Sequence, residues 1–508
     1  MKLARFFVMI IMGWMVLSSN SFGYSGGTGE PNTPYQIADV TDLLQLAATT
    51  SDYTESFILT ADIDLDPNLP GGHVFTSAII APDISTSGGF QGTPFEGTFD
   101  GNGHVLYNLK IESSPKDYIG LFGSIRQGQI QNLRLENVTV TGCHYVGGMA
   151  GCISKSSIAN CLVTGAAVGN KSLGLGGLAG FSIGSTITDC HSNVALDGTG
   201  SNVGGLVGSS FSNSAVSNCS ATGTITVTDS NGSGFSVGGL VGNNCSSTIT
   251  YCRAAGDITV ISTSTESLLN SNIGGLAGED RYGTITHSYA VGSINTAITS
   301  ESAITCGGGG AGLSSSNEMS DSYAKGSVLF NGSTESDYFI GGMIGLNYEG
   351  SISRCYSAGM VRASGNLQAD NCVGGFCGDV ITDAFFEDTG NFWDTETSGK
   401  TASAMGLGKT TAEMKAISTF TAAGWDFATT WTICEGTNYP RLQWQIPAGD
   451  WVCPDGVGME DLSVLSSCWL ETVQVLGNAE CRMMDLYADG TVDLSDWTIF
   501  AGNWMEGI

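Results

Sequence analysis

Charge is scarce in this chain. Only 13% of its 508 residues are Asp, Glu, Lys or Arg, and 18 Lys and Arg stand against 48 Asp and Glu. So few cations leave no basic footprint for a phosphate backbone, which argues against nucleic acid as a partner. The formal net charge of −30 suits calcium, saline surroundings or uncharged glycans instead. Histidine is rare: His73, His104, His144, His191 and His287 form no metal motif, and no CxxC or other zinc spacing occurs. Beyond the first 23 residues no stretch is apolar for long enough to span a bilayer, so the mature chain should have no membrane segment.

Glycine is plentiful, at 73 residues, and much of it falls in one recurring phrase. The phrase reads Val-Gly-Gly-Met-Ala-Gly at 146–151, Leu-Gly-Gly-Leu-Ala-Gly at 175–180 and Val-Gly-Gly-Leu-Val-Gly at 203–208 and 237–242. Further copies stand at 273–278, 308–312, 340–345 and 373–378, with a shortened herald at 119–123. Ten or eleven residues after each final glycine comes a small residue: Cys161, Cys190, Cys219, Cys252, Ser288, Ser322, Cys355. Three positions before it runs an apolar column, Ile158, Ile187, Val216, Ile249, Ile285, Met319, Ile352. Each unit offers three short β-branched runs, none long enough for a helix, and the fixed period signals stacked repeats. The expected fold is all-β: a parallel β-helix (β-solenoid) of three strands per turn, right-handed by the general rule for parallel crossovers. A small α-helical calcium-loop module should follow it at the C-terminus.

These residues resemble the GLUG-motif repeat family of bacterial secreted and surface proteins. The resemblance covers about half the chain and implies an extracellular repeat scaffold; it implies no reaction.

In chain order, 1–23 reads as a signal peptide, with Lys2 and Arg5 before the apolar run Phe6–Leu17, so the protein should be secreted or held at the cell surface. Residues 24–117 form an N-terminal cap module, with a helix from Asp42 to Ala48 capped by Thr41, and strands at Phe57–Leu65 and from Phe95 into a Gly-Asn turn. The GLUG-type repeats occupy 118–380. A cap at 381–447 follows, with a capping box at Thr410–Glu413 and a tryptophan-rich stretch expected to plug the open end. Of the 15 cysteines, those in the repeat column read as small buried wedges, whereas Cys453, Cys468 and Cys481 are better disulfide candidates.

Residues 448–508 form a separate module. Asp485, Asp489, Asp493 and Asp496 fall at positions 1, 5, 9 and 12 of a calcium-type loop, with Gly490 at position 6 and the Thr491 carbonyl at position 7. A degraded copy is visible around Asp455-Gly456, Asp461-Leu462 and Trp469-Leu470. Two such halves resemble dockerin modules, which implies one calcium site, a second degraded one, and a cohesin-like or cell-surface partner. Tyr487 at position 3 departs from that pattern.

Other constellations carry weaker signals. Gly180-Phe-Ser182-Ile-Gly184 matches the nucleophile-elbow pattern but falls at a repeat turn, so it reads as coincidence. Asp62, Asp64 and Asp66 share one strand face, either as a cation site or as a solvated surface. The triplets at 265–267, 300–302 and 334–336 would stack into an acidic ridge. Tyr289, Tyr323 and Tyr356 follow the Cys/Ser column by one residue, where side chains should face outward. They read either as an exposed platform for sugar rings or as a stabilising tyrosine ladder. No catalytic residue is assigned. The leading functional reading is a non-catalytic extracellular scaffold, adhesin or polysaccharide-binding assembly component; the rival is a β-helix polysaccharide lyase or glycoside hydrolase.

Overall fold

The computed structural model describes residues 23–504, except 70–71, 87, 114–115, 171–172, 230–233, 264–269, 299–303, 333–336, 366–371, 382–386, 454–455, 471–480 and 490. The expected signal peptide up to residue 22 and the three acidic triplets lie outside the described residues.

The glycine-punctuated units are successive coils of one β-solenoid. Ile158, Ile187, Val216, Ile249, Ile285, Met319 and Ile352 pair in register from coil to coil, all in parallel. Each is at most 1% exposed. Where three strands per coil were expected, the early coils have four, because the glycine phrase bends into two, and the coils from Asn202 onward have five, because the last run is itself broken in two. In one unit Ser236–Gly238 ends at the first glycine and Val241–Cys245 begins after a corner at Gly239-Leu240. A Cβ on Gly239 would lie 2.1 Å from the Gly275 carbonyl oxygen of the next coil, so only glycine admits that approach. The corner turns Leu240 into the core. The two halves of the phrase build separate sheets of eight and nine strands, and the Ile column lies in a third of twelve.

A second corner explains the Cys/Ser column. The residue before it is left-handed in every coil: Asn160, Asp189, Asn218, Tyr251, His287, Asp321 and Arg354 have φ between 46° and 53°. Asn and Asp tolerate this conformation best, and the bulkier residues of later coils occupy it at a cost of about 1–2 kcal/mol each. The Cys or Ser then repairs the interrupted ladder. Ser288 Oγ donates to the Thr286 carbonyl at 2.8 Å and accepts the Cys252 N–H at 3.0 Å. Cys219 Sγ donates likewise to the Ser217 carbonyl and accepts the Cys190 N–H. A small side chain that both donates and accepts is what the corner requires, so the two residue types interchange. The hydrogen bond with Cys190, together with burial, pushes the Cys161 thiol well up, and burial does the same to Cys219, leaving both as packing groups rather than nucleophiles.

The N-terminal module continues the same stack, since Thr98–Asp100 pairs in parallel with Gln129–Gln131. Its helix runs from Val40 to Ala48 and is capped by Asp39, whose carboxylate accepts from the Thr41 and Asp42 amides, rather than by Thr41. The expected strand at Phe57–Leu65 is two, Ser56–Leu59 and Ile63–Asp64, because the chain rounds a corner between them. At the other end Phe392–Asp394 and Leu407–Lys409 complete the last coil. The Thr410–Glu413 capping bonds form. They lead into a 3-10 turn, Glu413–Lys415, and a short helix, Ile417–Thr421. The tryptophan-rich stretch does not plug the end; it runs back along the side of the solenoid. Among the described residues no helix is long and apolar enough to cross a membrane.

Candidate functional site

Tyr289, Tyr323 and Tyr356 stack on successive coils with ring centroids 5.0 Å apart. They are a ladder, as one of the two readings held, but not an exposed one: they are 9%, 3% and 0% exposed. The returning segment covers them with Trp425, Trp431, Tyr439 and Trp444. It also engages two of their hydroxyls, because Tyr356 donates to the Pro440 carbonyl at 2.7 Å and Tyr323 bonds Gln445 at 2.8 Å. Trp431 Nε1 donates to Asp321, which Arg354 holds bidentately. Lys325 lies within 5.0–5.9 Å of the ring centres of Tyr323, Tyr356 and Tyr439. Burial and the nearby Arg441 lower its pKa to about 8. Covered in this way, the three rings present no exposed platform for sugar rings, contrary to the other expectation.

Aromatic rings do remain half-exposed elsewhere. Tyr118, Tyr145, Phe181 and Phe211 contact one another in sequence at 5.0, 5.4 and 5.5 Å. Phe181 belongs to an outward-facing column of the nine-stranded sheet that continues as Ser209, Asn243, Glu279 and Leu313. Beside that column lies a groove of about 210 Å³ lined by Asn202, Phe235, Asn243, Asn272, Glu279 and Arg281, among others. Glu279 is held by Arg281, by Asn243 Nδ2 at 3.2 Å and by Ser236 Oγ at 3.4 Å. Among the described residues the buried amide oxygens of Asn243 and Asn272 have no hydrogen-bond partner. Rings flanking amides, a carboxylate and a guanidinium match the alternating apolar faces and hydroxyls of a sugar chain.

The interior face of the same strands is unlike a simple apolar core. Ser182, Ser210, Asn244, Asp280, Ser314 and Asn347 follow one another there, each fully buried. Ser182, the supposed nucleophile, donates to Ser214 Oγ at 3.1 Å inside the coil, in keeping with the reading of its motif as coincidence. Asp280 accepts from Asn244 Nδ2 at 2.7 Å and from Asn317 Nδ2, yet burial still raises its pKa to about 7. Asp62, Asp64 and Asp66 are engaged locally, by His104, Asn108 and Asn68 respectively.

In the C-terminal module Asp485 accepts from the Asp489 amide at 3.1 Å, and Asp489 from the Thr491 amide at 3.0 Å. Asp493 caps the helix Leu494–Gly502. Asp496 is buried and accepts from the Tyr487 and Asp493 amides, while Gly490 lies outside the described residues. Asp461 repeats this pattern with the Val452 and Gly458 amides. The degraded copy therefore starts at Asp450 rather than Asp455, in a frame of the same length. Val457 and Val492, and Leu465 and Phe500, are its matched core residues. Cys468 pairs with Cys481, and Cys453 with Cys434, a partner from the returning segment that spacing alone does not single out. The donors at Asp485, Asp489, Thr491, Asp493 and Asp496 are all oxygens, a set that fits calcium.

One further group escaped the sequence reading, which found no metal motif around the histidines. Asp117, Cys143 and His144 place their ligand atoms within 4.8 Å of one another. The signal was the period itself, since Asp117 and His144 stand 27 residues apart, close to one coil.

Comparison with known proteins agrees with the repeat reading. The family model described as the GLUG motif matches residues 199–226, one unit of the array. Halomucin from Haloquadratum walsbyi (strain DSM 16790 / HBSQ001) is 34% identical over 157 residues, 29% of this chain. The chain spans only 2% of halomucin's own length. A crystal structure from Bacteroides ovatus, described provisionally as an immunoglobulin A1 protease, aligns over 83% of this chain and 95% of its own. The identity is 20% and the TM-score 0.39, too loose a likeness to carry a conclusion.

Proposed function

We propose that the protein is an exported, non-catalytic repeat scaffold that holds polysaccharide against the outer face of its nine-stranded sheet. The observation that carries this reading is the run of half-exposed rings leading to the Asn243–Glu279 groove. Rings bind the apolar faces of sugars, and partly desolvated amides reward hydroxyls that complete their bonding. Among the described residues lining the groove Glu279 is the sole carboxylate, whereas glycoside hydrolysis ordinarily uses two. The C-terminal module serves as a dockerin-like calcium-dependent tether to a cohesin-like or cell-surface partner. When bound, calcium would draw Asp485, Asp489, Asp493, Asp496 and the Thr491 carbonyl together and order the loop.

Affinity electrophoresis against plant and algal polysaccharides tests the reading, with reducing-end release followed in parallel. The expected result is retardation of the full chain, lost in Phe181→Ala and in Asn243→Ala, without new reducing ends. Unchanged retardation in both variants would refute the groove. Release of reducing ends would favour the lyase or hydrolase reading instead.

A further inference from the structure

We propose that Asp117, Cys143 and His144 bind a single divalent cation of the zinc class where the N-terminal module meets the first full coil. The side chains come from two chain segments locked in register. Cys143 N donates to the Lys116 carbonyl at 3.1 Å, Tyr118 N to the His144 carbonyl at 3.0 Å, and Ile119 N to the Tyr145 carbonyl at 3.0 Å. Those ladder bonds fix the backbones, and the bend at 143–145 lets consecutive side chains converge rather than alternate. His144 Nδ1 lies 2.8 Å from Asp117 Oδ1, and the Cys143 sulfur is within 4.8 Å of both. Ligand atoms around one tetrahedral ion sit roughly 3.5 Å apart, so small side-chain adjustments would admit the ion.

The chemistry of the trio selects the metal. A thiolate, an imidazole and a carboxylate suit zinc, whereas calcium and magnesium demand oxygen. All three residues are half-exposed, which leaves one side of the ion open to water. Binding would release the thiol proton and exchange the His144–Asp117 hydrogen bond for two metal bonds. The site is thus distinct in composition and place from the all-oxygen loop at Asp485–Asp496. Occupied, it would staple Asp117, the last residue of the N-terminal module, to the repeats and stabilise the folded chain by mass action.

Cadmium titration of the metal-free full chain tests the proposal, because thiolate bound to Cd²⁺ gives an ultraviolet charge-transfer band that oxygen ligands do not. The band should saturate at one equivalent and raise the melting temperature, and zinc should displace it. Cys143→Ser should abolish it, while Cys245→Ser, which removes another half-buried thiol, should leave it intact. Asp117→Asn, nearly isosteric, should weaken binding by at least the roughly tenfold that losing even an outer-shell partner costs. Absence of the band in the parent protein would overturn the proposal. So would an undiminished band in a Cys143→Ser protein whose metal-free melt matches the parent.

Discussion

Leu162 and Tyr356 hold the same position in their respective coils, yet the first is half-exposed and the second fully buried. The same contrast separates His191 and Ser220, which face outward to varying degrees, from Tyr289 and Tyr323, which do not. The backbone geometry is shared, so the difference lies outside the repeats. A segment that does not repeat, from Met414 to Trp444, folds back over the last coils and turns their outer wall into a second core. A solenoid therefore dictates direction but not environment, and what an outward side chain meets depends on which other part of the chain reaches it.

The sharpest way to break this comparison is Trp431→Ala. Trp431 is fully buried among Tyr323, Tyr356 and Trp425, so its removal should cost about 3–5 kcal/mol locally. All tryptophans but Trp14 lie at or beyond Trp393, four of them in the C-terminal module, so fluorescence reports the covered end together with that module while circular dichroism follows the coils. The fluorescence transition in guanidinium should move and the coil transition should hold. Leu162→Ala should move neither appreciably. Equal shifts of both signals in Trp431→Ala would show that the returning segment and the coils are one cooperative unit.

Asp280 sharpens the contrast from inside. Its folded pKa, raised by burial to about 7, exceeds that of an ordinary carboxyl, 3.8. Between those values the unfolded chain binds fewer protons, so stability should fall as pH rises from about 4 to about 7 and level off above. At about 1.4 kcal/mol per pKa unit the fall amounts to a few kcal/mol. Asp280→Asn should flatten the profile in melts followed by circular dichroism; an unchanged slope would place the titration elsewhere.

The smallest effect belongs to Lys325 and carries the opposite sign. Burial and Arg441 lower its pKa from 10.5 to about 8, so the folded chain sheds the proton first. Stability of the covered end should then rise as pH climbs from about 8 toward 10. Lys325→Met should be more stable than the parent at pH 7 and lose that advantage at higher pH, read by the fluorescence transition. A destabilised variant at pH 7 would mean that the contacts with Tyr323, Tyr356 and Tyr439 outweigh the desolvation of the charge.

Much of the architecture could be read directly from residue order. The Ile158–Ile352 column, the Cys/Ser column and the glycine phrase recur at fixed offsets, and a recurrence of that kind stacks in register or not at all. The fourth strand was hidden because Gly238 and Gly239 look alike in sequence although one ends a strand and the other turns the corner. Of the candidate sites, the carboxylate loop at Asp485–Asp496 was visible because its carboxylates are local in sequence. The groove at Asn243, Asn272 and Glu279 was not, since its residues come from different strands and different coils.

Sequence alone thus determined the coil and its core columns, because both depend on spacing within a period. Tertiary structure decided which faces are open, that Tyr289, Tyr323 and Tyr356 are covered, that Cys434 pairs with Cys453, and that Asp117 meets Cys143 and His144. The physical reason is range. A repeat encodes contacts one coil away, whereas burial of an outer wall depends on where a distant, aperiodic segment finds the most apolar surface to cover.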